Sequence, residues 1–374
     1  MRLDWIPAQR GDSLKQVDTP ALILDLDKFE SNVSQMAQAA ARAGVRLRPH
    51  AKTHKCVEIA RRQVNAGAVG ICCQKLGEAE VFLGGDILDV LITNEIAGDQ
   101  KLRRLGQLAR RFPDSKLGVC VDDVEVTRRL AAICGEEQAR LDVYVEVDVG
   151  QNRGGVVDAE SALALARIVS ASGFLNFAGL HAYAGSAQHR RGAPERRAAV
   201  RHAALRVAEV RDALLAAQLP CEIITGGGTG TFLYEAGSGV YREVQPGSYI
   251  FMDVDYKRNE QDPEAPVFEN SLFVLTTVIS ARGERATLDA GLKAFSTDSG
   301  PARPTFDGWR VHSVSDEHTV LTRIADGPSI KIGAKALLVP GHCDPTVNLH
   351  DWIVAVRQGT VEAVWQVDAR GAVY

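Results

Sequence analysis

The stretch TGGGTGTF, residues 225–232, follows the β-rich run CEII and leads into a short apolar segment. A glycine-rich turn at the end of a strand exposes backbone N–H groups to an anion, and two α/β folds use one. Its place in the chain separates them. In a doubly wound nucleotide-binding sheet the turn follows the first strand. In a (β/α)8 barrel the phosphate loops follow strands seven and eight. Counting back from residue 225, the β-rich runs are VRLRPHA, AVGICC, DVLITN, KLGVCVD, LDVYVEVDV and FAGLHAYAG, so CEIITGGG is the seventh. GSYIFMD, 247–253, reads as the eighth. Amphipathic segments such as GDQKLRRLGQLARRF lie between them. The expected fold class is α/β, a (β/α)8 barrel of the TIM type.

A further strand, ALILDLD, and a helix beginning KFESNV precede the barrel. Asp27 and Glu30 resemble a capping box for that helix, and Gly44 a left-handed stop. Beyond about residue 260 the pattern changes to the β-runs SLFVLTTVIS, RATLDAG, AKALLVPG, DWIVAVRQG and VEAVWQVDARG. The division expected is a barrel domain over 20–258 and a β-domain built from 1–19 and 259–374.

Bulk properties exclude several classes. A net charge of −4, with no basic stripe, gives nucleic acid nothing to bind. No run approaches the ~20 apolar residues of a membrane span, and the N-terminal MRLDWIPAQRGDSLKQ lacks the apolar core of a secretion signal. The 7 cysteines are odd in number and contain no C-x-x-C pair, which fits reduced thiols in the cytoplasm and no structural zinc.

The candidate phosphate cradle comprises Thr225, Gly227, Gly228 and Thr229, joined by Gly247, Ser248 and Tyr249 after the eighth run. The end of the first run, RPHAKTHK (48–55), is densely cationic. Two-residue alternation places Arg48, His50, Lys52 and His54 on one face, and Pro49, Ala51, Thr53 and Lys55 on the other. Lys52 then stands at the barrel mouth over the cradle. Among other cations its pKa is expected to fall, which suits an amine that bonds covalently to a carbonyl. Phosphate site plus inward lysine suggests pyridoxal phosphate.

Read together, DTPALILDLD, RPHAKTHKC, GICCQK, VEVDVGQNRGGV, ITGGGTG, GSYIFMDVDY, LDAGLKAFSTDSG, DEH and PGHCDPTVNLHDW closely resemble the D-threonine aldolase family, from about Thr19 to the end. These are pyridoxal-phosphate enzymes of the alanine-racemase-like, fold-type III class. The resemblance implies that Lys52, not Lys55, carries the cofactor, with His50 and His54 grouped around it. It places Arg153 and Tyr183 near the cofactor ring, and makes His189 an acid/base. Gln74 and, less directly, His181 are further candidates at the barrel mouth.

It also marks the H-x-D of GHCDPT, His342 and Asp344, as ligands of a divalent metal. One imidazole and one carboxylate, completed by water, suit Mn²⁺ or Mg²⁺. D-serine dehydratase-like relatives have H-x-C there, where a thiolate favours zinc; here Cys343 is the middle residue. The implied activity is reversible cleavage of D-configured β-hydroxy-α-amino acids to glycine and an aldehyde by a homodimer. The alternatives are a 3-hydroxy-D-aspartate aldolase, a D-serine or 3-hydroxyaspartate dehydratase, and a non-catalytic cofactor carrier.

Overall fold

The computed structural model describes residues 5–324 and 327–374. Strand β1 (Ala21–Asp25) carries four buried apolar residues in a row, and helix α1 (Leu26–Ala43) follows directly. The cap of α1 is Asp25, whose side chain accepts from Lys28 N, rather than the expected Asp27; Gly44, at φ 68°, ends the helix as expected.

Eight parallel strands come next: β2 (Arg46–Leu47), β3 (Ile71–Cys73), β4 (Asp89–Glu95), β5 (Lys116–Val121), β6 (Leu141–Glu146), β7 (Leu175–His181), β8 (Ile224–Gly226) and β9 (Glu243–Val244). They pair in the order β2-β9-β8-β7-β6-β5-β4-β3. A parallel bridge between His50 and Cys72, with Cys72 N 2.8 Å from Pro49 O, joins the two ends of this sheet into a ring. Helices α2 (Val57–Asn65), α3 (Leu76–Gly84), α4 (Asp99–Arg111), α5 (Val124–Glu137), α6 (Ala159–Ala171), α7 (Ala193–Ala216) and α8 (Phe232–Gly237) alternate with the strands. Their apolar faces and the outward residues of the strands form one continuous core.

The barrel is as expected, with local corrections. GSYIFMD is not the eighth strand: Ser248–Ile250 form a 3-10 turn, and the ladder instead uses Glu243 and Val244, registered with Thr225 and Gly226. Tyr249, Ile250 and Phe251 are fully buried in the core that α1 shares with the second sheet, and a run buried on every side carries no periodicity to reveal its conformation. The two-residue alternation over 48–55 fails for a related reason. Strand β2 stops at Leu47, and Lys52 sits in the 3-10 turn Ala51–Thr53.

The second sheet has nine strands: β1 together with β10 (Leu272–Arg282), β11 (Arg285–Leu288), β12 (Arg303–Pro304), β13 (Trp309–Val314), β14 (Thr319–Arg323), β15 (Lys335–Val339), β16 (Trp352–Arg357) and β17 (Thr360–Gln366). Strand β1, expected with the barrel, lies between β10 and β16, antiparallel to one and parallel to the other. Its unbroken apolar run requires burial on both faces, which only a central position supplies. Strands β12 to β14 escaped prediction because their residues are largely exposed or polar. A short helix α9 (Cys343–Val347) follows β15 and returns to the barrel mouth.

Lys55 belongs to the framework. Its ammonium lies 2.5 Å from Glu78 Oε1 in a buried pair, and its backbone O accepts from Ala369 N at 2.9 Å. Glu78 also accepts from the N–H groups of Gln74 and Lys75 that open α3. Lys55→Ala would leave a buried carboxylate uncompensated. Urea denaturation is expected to show a loss of about 3 kcal/mol or more; a loss below about 1 kcal/mol would remove Lys55 from this role.

Candidate active site

The C-terminal ends of the barrel strands open on a cavity of about 250 Å³. Lys52, Gln74, Arg153, Tyr183, His189, Gly228, Thr229, Gly247 and Ser248 all line it, brought there from six different strand ends. The backbone N–H groups of Gly228, Thr229, Gly247 and Ser248 have no hydrogen-bond partner among the described residues. Four free donors converging on one cavity fit a phosphate. Gly247 is required there, because a Cβ would lie 2.6 Å from Thr53 Oγ1 and 3.0 Å from His50 O.

Three cradle candidates do not line the cavity. Thr225 turns its hydroxyl into the barrel and donates to Glu243 Oε1 at 2.8 Å. Gly227, at φ 75°, supplies the left-handed turn beside Glu235. Tyr249 is buried, its hydroxyl bonded to Gln63 and its backbone N–H to Thr229 Oγ1. Each sits where backbone geometry, not side-chain type, decides which way a group points.

Lys52 Nζ lies 2.5 Å from Asp344 Oδ2. The cause is packing: Val254 N and Asp255 N donate to Pro340 O and Gly341 O, and Asp253 Oδ2 accepts from Cys343 N at 3.0 Å. These bonds hold α9 across the barrel mouth. Beyond His342 the chain turns at once into α9. His342 still lies close enough to Asp344 to help hold its carboxyl below the usual range; burial opposes this, and Lys52 is the larger of the two stabilising charges. The expected fall in the Lys52 pKa is likewise reversed. Burial disfavours its charge, but Asp344, together with Tyr183 and Cys343, outweighs burial and raises the pKa.

His189 Nδ1 is 2.7 Å from Asp255 Oδ2, and Arg191 bonds the other oxygen of that carboxylate at 2.5 Å. His342 is held similarly, with Nδ1 2.7 Å from Asp298 Oδ2. His50 lines the cavity; its Nδ1 accepts from Lys52 N and its Nε2 faces Thr93 Oγ1. His54 does not. It is fully buried against Phe82, its Nδ1 accepts from Cys56 N, and burial pushes its pKa down to about 3.

The sequence reading missed several residues. Thr93, Gln151, Gln245 and Tyr256 line the cavity, while Asp255 and Asp298 orient the histidines. Among the described residues one group of three metal-ligating side chains converges, Cys120, Glu146 and His181, with ligand atoms within 4.8 Å of one another.

The alanine racemase N-terminal domain family matches residues 24–255, and a serine dehydratase domain family matches 271–356. The D-threonine aldolase of an Arthrobacter species is 48% identical over 98% of this chain and 96% of its own. The crystal structure of D-threonine aldolase from Filomicrobium marinum superposes with a TM-score of 0.96 at 45% identity, covering 99% of this chain and 100% of that one. The chain belongs to the D-threonine aldolase family. The 3-hydroxy-D-aspartate aldolase of Paracoccus denitrificans, 43% identical over 99% of the chain and 96% of its own, lies close to it. Family membership makes pyridoxal phosphate the cofactor, and the free amides and lysine around the cavity fit that group. No helix among the described residues is long and apolar enough to cross a membrane.

For Lys52 to bond covalently to an aldehyde, its amine must be uncharged. Asp344→Asn leaves burial as the main influence on Lys52, so its pKa falls and more amine is uncharged at pH 7. In chelator-treated apoprotein the rate of covalent pyridoxal-phosphate uptake, followed by absorbance, is expected to rise at least about tenfold, the effect of one pKa unit. An unchanged or slower rate would show that Asp344 does not govern the amine.

Proposed function

We propose that this protein cleaves D-configured β-hydroxy-α-amino acids, D-threonine among them, to glycine and an aldehyde, with pyridoxal phosphate on Lys52 and a divalent metal on His342 and Asp344. The observation that carries the reading is the 2.5 Å contact between Lys52 and Asp344, 292 residues apart, which unites the cofactor lysine with the H-x-D motif of the same chain. The donor set supports Mn²⁺ or Mg²⁺. Asp298 occupies His342 Nδ1, leaving Nε2 as the ring atom for a metal, and Asp344 adds oxygen, while Cys343 is fully buried between them.

When bound, the cofactor supplies an electron sink for the pair left at Cα and the metal lowers the pKa of the β-hydroxyl. The chain's own residues do the rest. Gly228, Thr229, Gly247 and Ser248 anchor the phosphate through backbone N–H groups, and Arg153 and Tyr183, whose guanidinium and ring lie 6.0 Å apart, border the same pocket. Gln74 is fixed at the wall by its bond to Thr93 O at 3.0 Å. Asp255, ionised by its bond to Arg191, requires the proton of His189 to sit on Nδ1. Nε2 is then a lone pair able to accept the β-hydroxyl proton as the Cα–Cβ bond breaks, leaving an aldehyde and, after protonation of Cα, glycine. A homodimer is part of the same reading, and sedimentation of the holoenzyme checks it.

Incubation with D-threonine and Mn²⁺ separates the activities: acetaldehyde with glycine is expected, whereas 2-oxobutyrate with ammonia would mean dehydration. Faster cleavage of 3-hydroxy-D-aspartate than of D-threonine would reassign the substrate. Lys52→Ala is expected to abolish the visible cofactor absorbance. Chelation is expected to stop cleavage and leave that absorbance in place. His189→Asn should lower kcat about 10²–10⁴-fold with the absorbance retained; an unchanged kcat would remove it from proton transfer.

A further inference from the structure

Arg48 opens the basic stretch but has no part in the chemistry above. It is 2% exposed inside the barrel, where its Nε lies 2.8 Å from Glu243 Oε1 and its terminal nitrogen 2.5 Å from Asp89 Oδ1. Arg46 Nε lies 3.2 Å from the other oxygen of Glu243 as an ion pair, without a hydrogen bond between them. Guanidinium groups only donate, so Oε1 of Glu243 is an acceptor toward Arg48. Thr225 has one hydroxyl proton, and it goes to Glu243 Oε1. The Thr225 oxygen can therefore only accept from Gln245, 2.7 Å away, so the amide must turn its NH₂ that way. Gln245 Oε1 then faces His181 Nε2 at 3.1 Å, and that nitrogen must carry a proton.

The other ring nitrogen faces Glu146. His181 Nδ1 lies 3.1 Å from Glu146 Oε2, and Arg153 approaches Oε1 at 3.8 Å. Glu95 packs against Glu146, and its Oε1 is buried without a donor among the described residues. Two carboxylates in contact share a proton, and the one without cationic partners keeps it. Glu146, between His181 and Arg153, is thus the acceptor, and Nδ1 carries a proton as well.

We infer that His181 is a positioning residue held as a doubly protonated imidazolium in the floor of the cofactor pocket, by a one-way hydrogen-bond chain that begins at Arg48. The titration directions agree. Burial disfavours charge on His181, but Glu146, with Gln245 and Glu95, outweighs it and raises the pKa; Glu95 is pushed up to about 7 by burial and by Glu146. His50, the second histidine of the floor, is the opposite case. It accepts a backbone N–H at Nδ1 and is neutral. Two consequences follow. An imidazolium has no lone pair, so the Cys120–Glu146–His181 cluster cannot hold a metal while the chain is intact. A fixed cation in a dry floor stabilises negative charge that develops above it, and does so without reorganising. The second consequence rests on the cofactor occupying this cavity; the protonation state does not.

Neutron diffraction, or ¹⁵N-histidine spectra of the apoprotein from pH 6 to 9, reads the state directly. Protons on both nitrogens of His181 at pH 7, lost only at a midpoint above that of a free imidazole, are expected, and a single ring proton on either nitrogen at pH 7 would overturn the inference. Thr225→Val keeps the volume but breaks the chain, freeing Gln245 to turn. The His181 midpoint is then expected to fall by at least one pH unit, tenfold in proton affinity, and the holoenzyme absorbance maximum to shift with it. Glu146, Cys120, Gln245 and, across the floor, His50 remain in place around the ring. An unchanged midpoint in Thr225→Val would remove Arg48 as the origin. A wild-type protein that takes up no cofactor would defeat the functional reading while leaving the apoprotein result intact.

Discussion

Lys52 and Asp344 meet at 2.5 Å from opposite ends of the chain, and the architecture can be understood as what makes that contact possible. Two charges inside a protein are costly unless each satisfies the other, so the pair demands accurate placement of both elements. On one side the turn Ala51–Thr53 is braced by the buried Lys55–Glu78 pair. On the other, α9 is held by the residues just after the barrel, Asp253 to Asp255. Gly341 permits this approach, since a Cβ there would lie 2.1 Å from Gly300 O. The same approach brings Asp298, two residues before Gly300, against His342.

The position of β1 serves the same end. A strand that precedes the barrel in sequence but lies at the centre of the second sheet ties the two units through one buried core, in which α1 packs beside β10, β15 and β16. The mouth of the barrel is therefore covered by a rigid neighbour. A site built between rigid elements keeps its charges and donors in place without help from the substrate.

The barrel interior is unusual in being partly polar. Among the described residues Cys72, Leu91, Cys120 and Tyr144, with Ala178 and Ile223 packed against them, form a small apolar cluster within the ring, and Arg48, Glu243, Thr225, Gln245, His181 and Glu146 occupy much of the rest. Each successive link from Arg48 to Glu146 is a hydrogen bond, although Glu243 Oε2 has no partner among the described residues, and the chain fixes donor and acceptor direction over many ångströms. The protonation of groups at the pocket floor is thereby decided by residues far below it.

The amino-acid sequence by itself determined the barrel and the β-rich second unit, and it singled out Lys52 and the glycine turns that line the cavity. Those features rest on periodicity, strand count and backbone freedom, which are local properties of the chain. It could not yield the partners of Lys52, the inward turn of Thr225, the burial of His54, or the place of β1 and the short strand β9. His54 and His50 look equivalent in RPHAKTHK, yet one is a core residue beside Phe82 and the other lines the cavity. Only tertiary structure separates them. Burial and charge pairing depend on residues hundreds of positions away, and they decide which of two similar side chains meets solvent, cofactor or core.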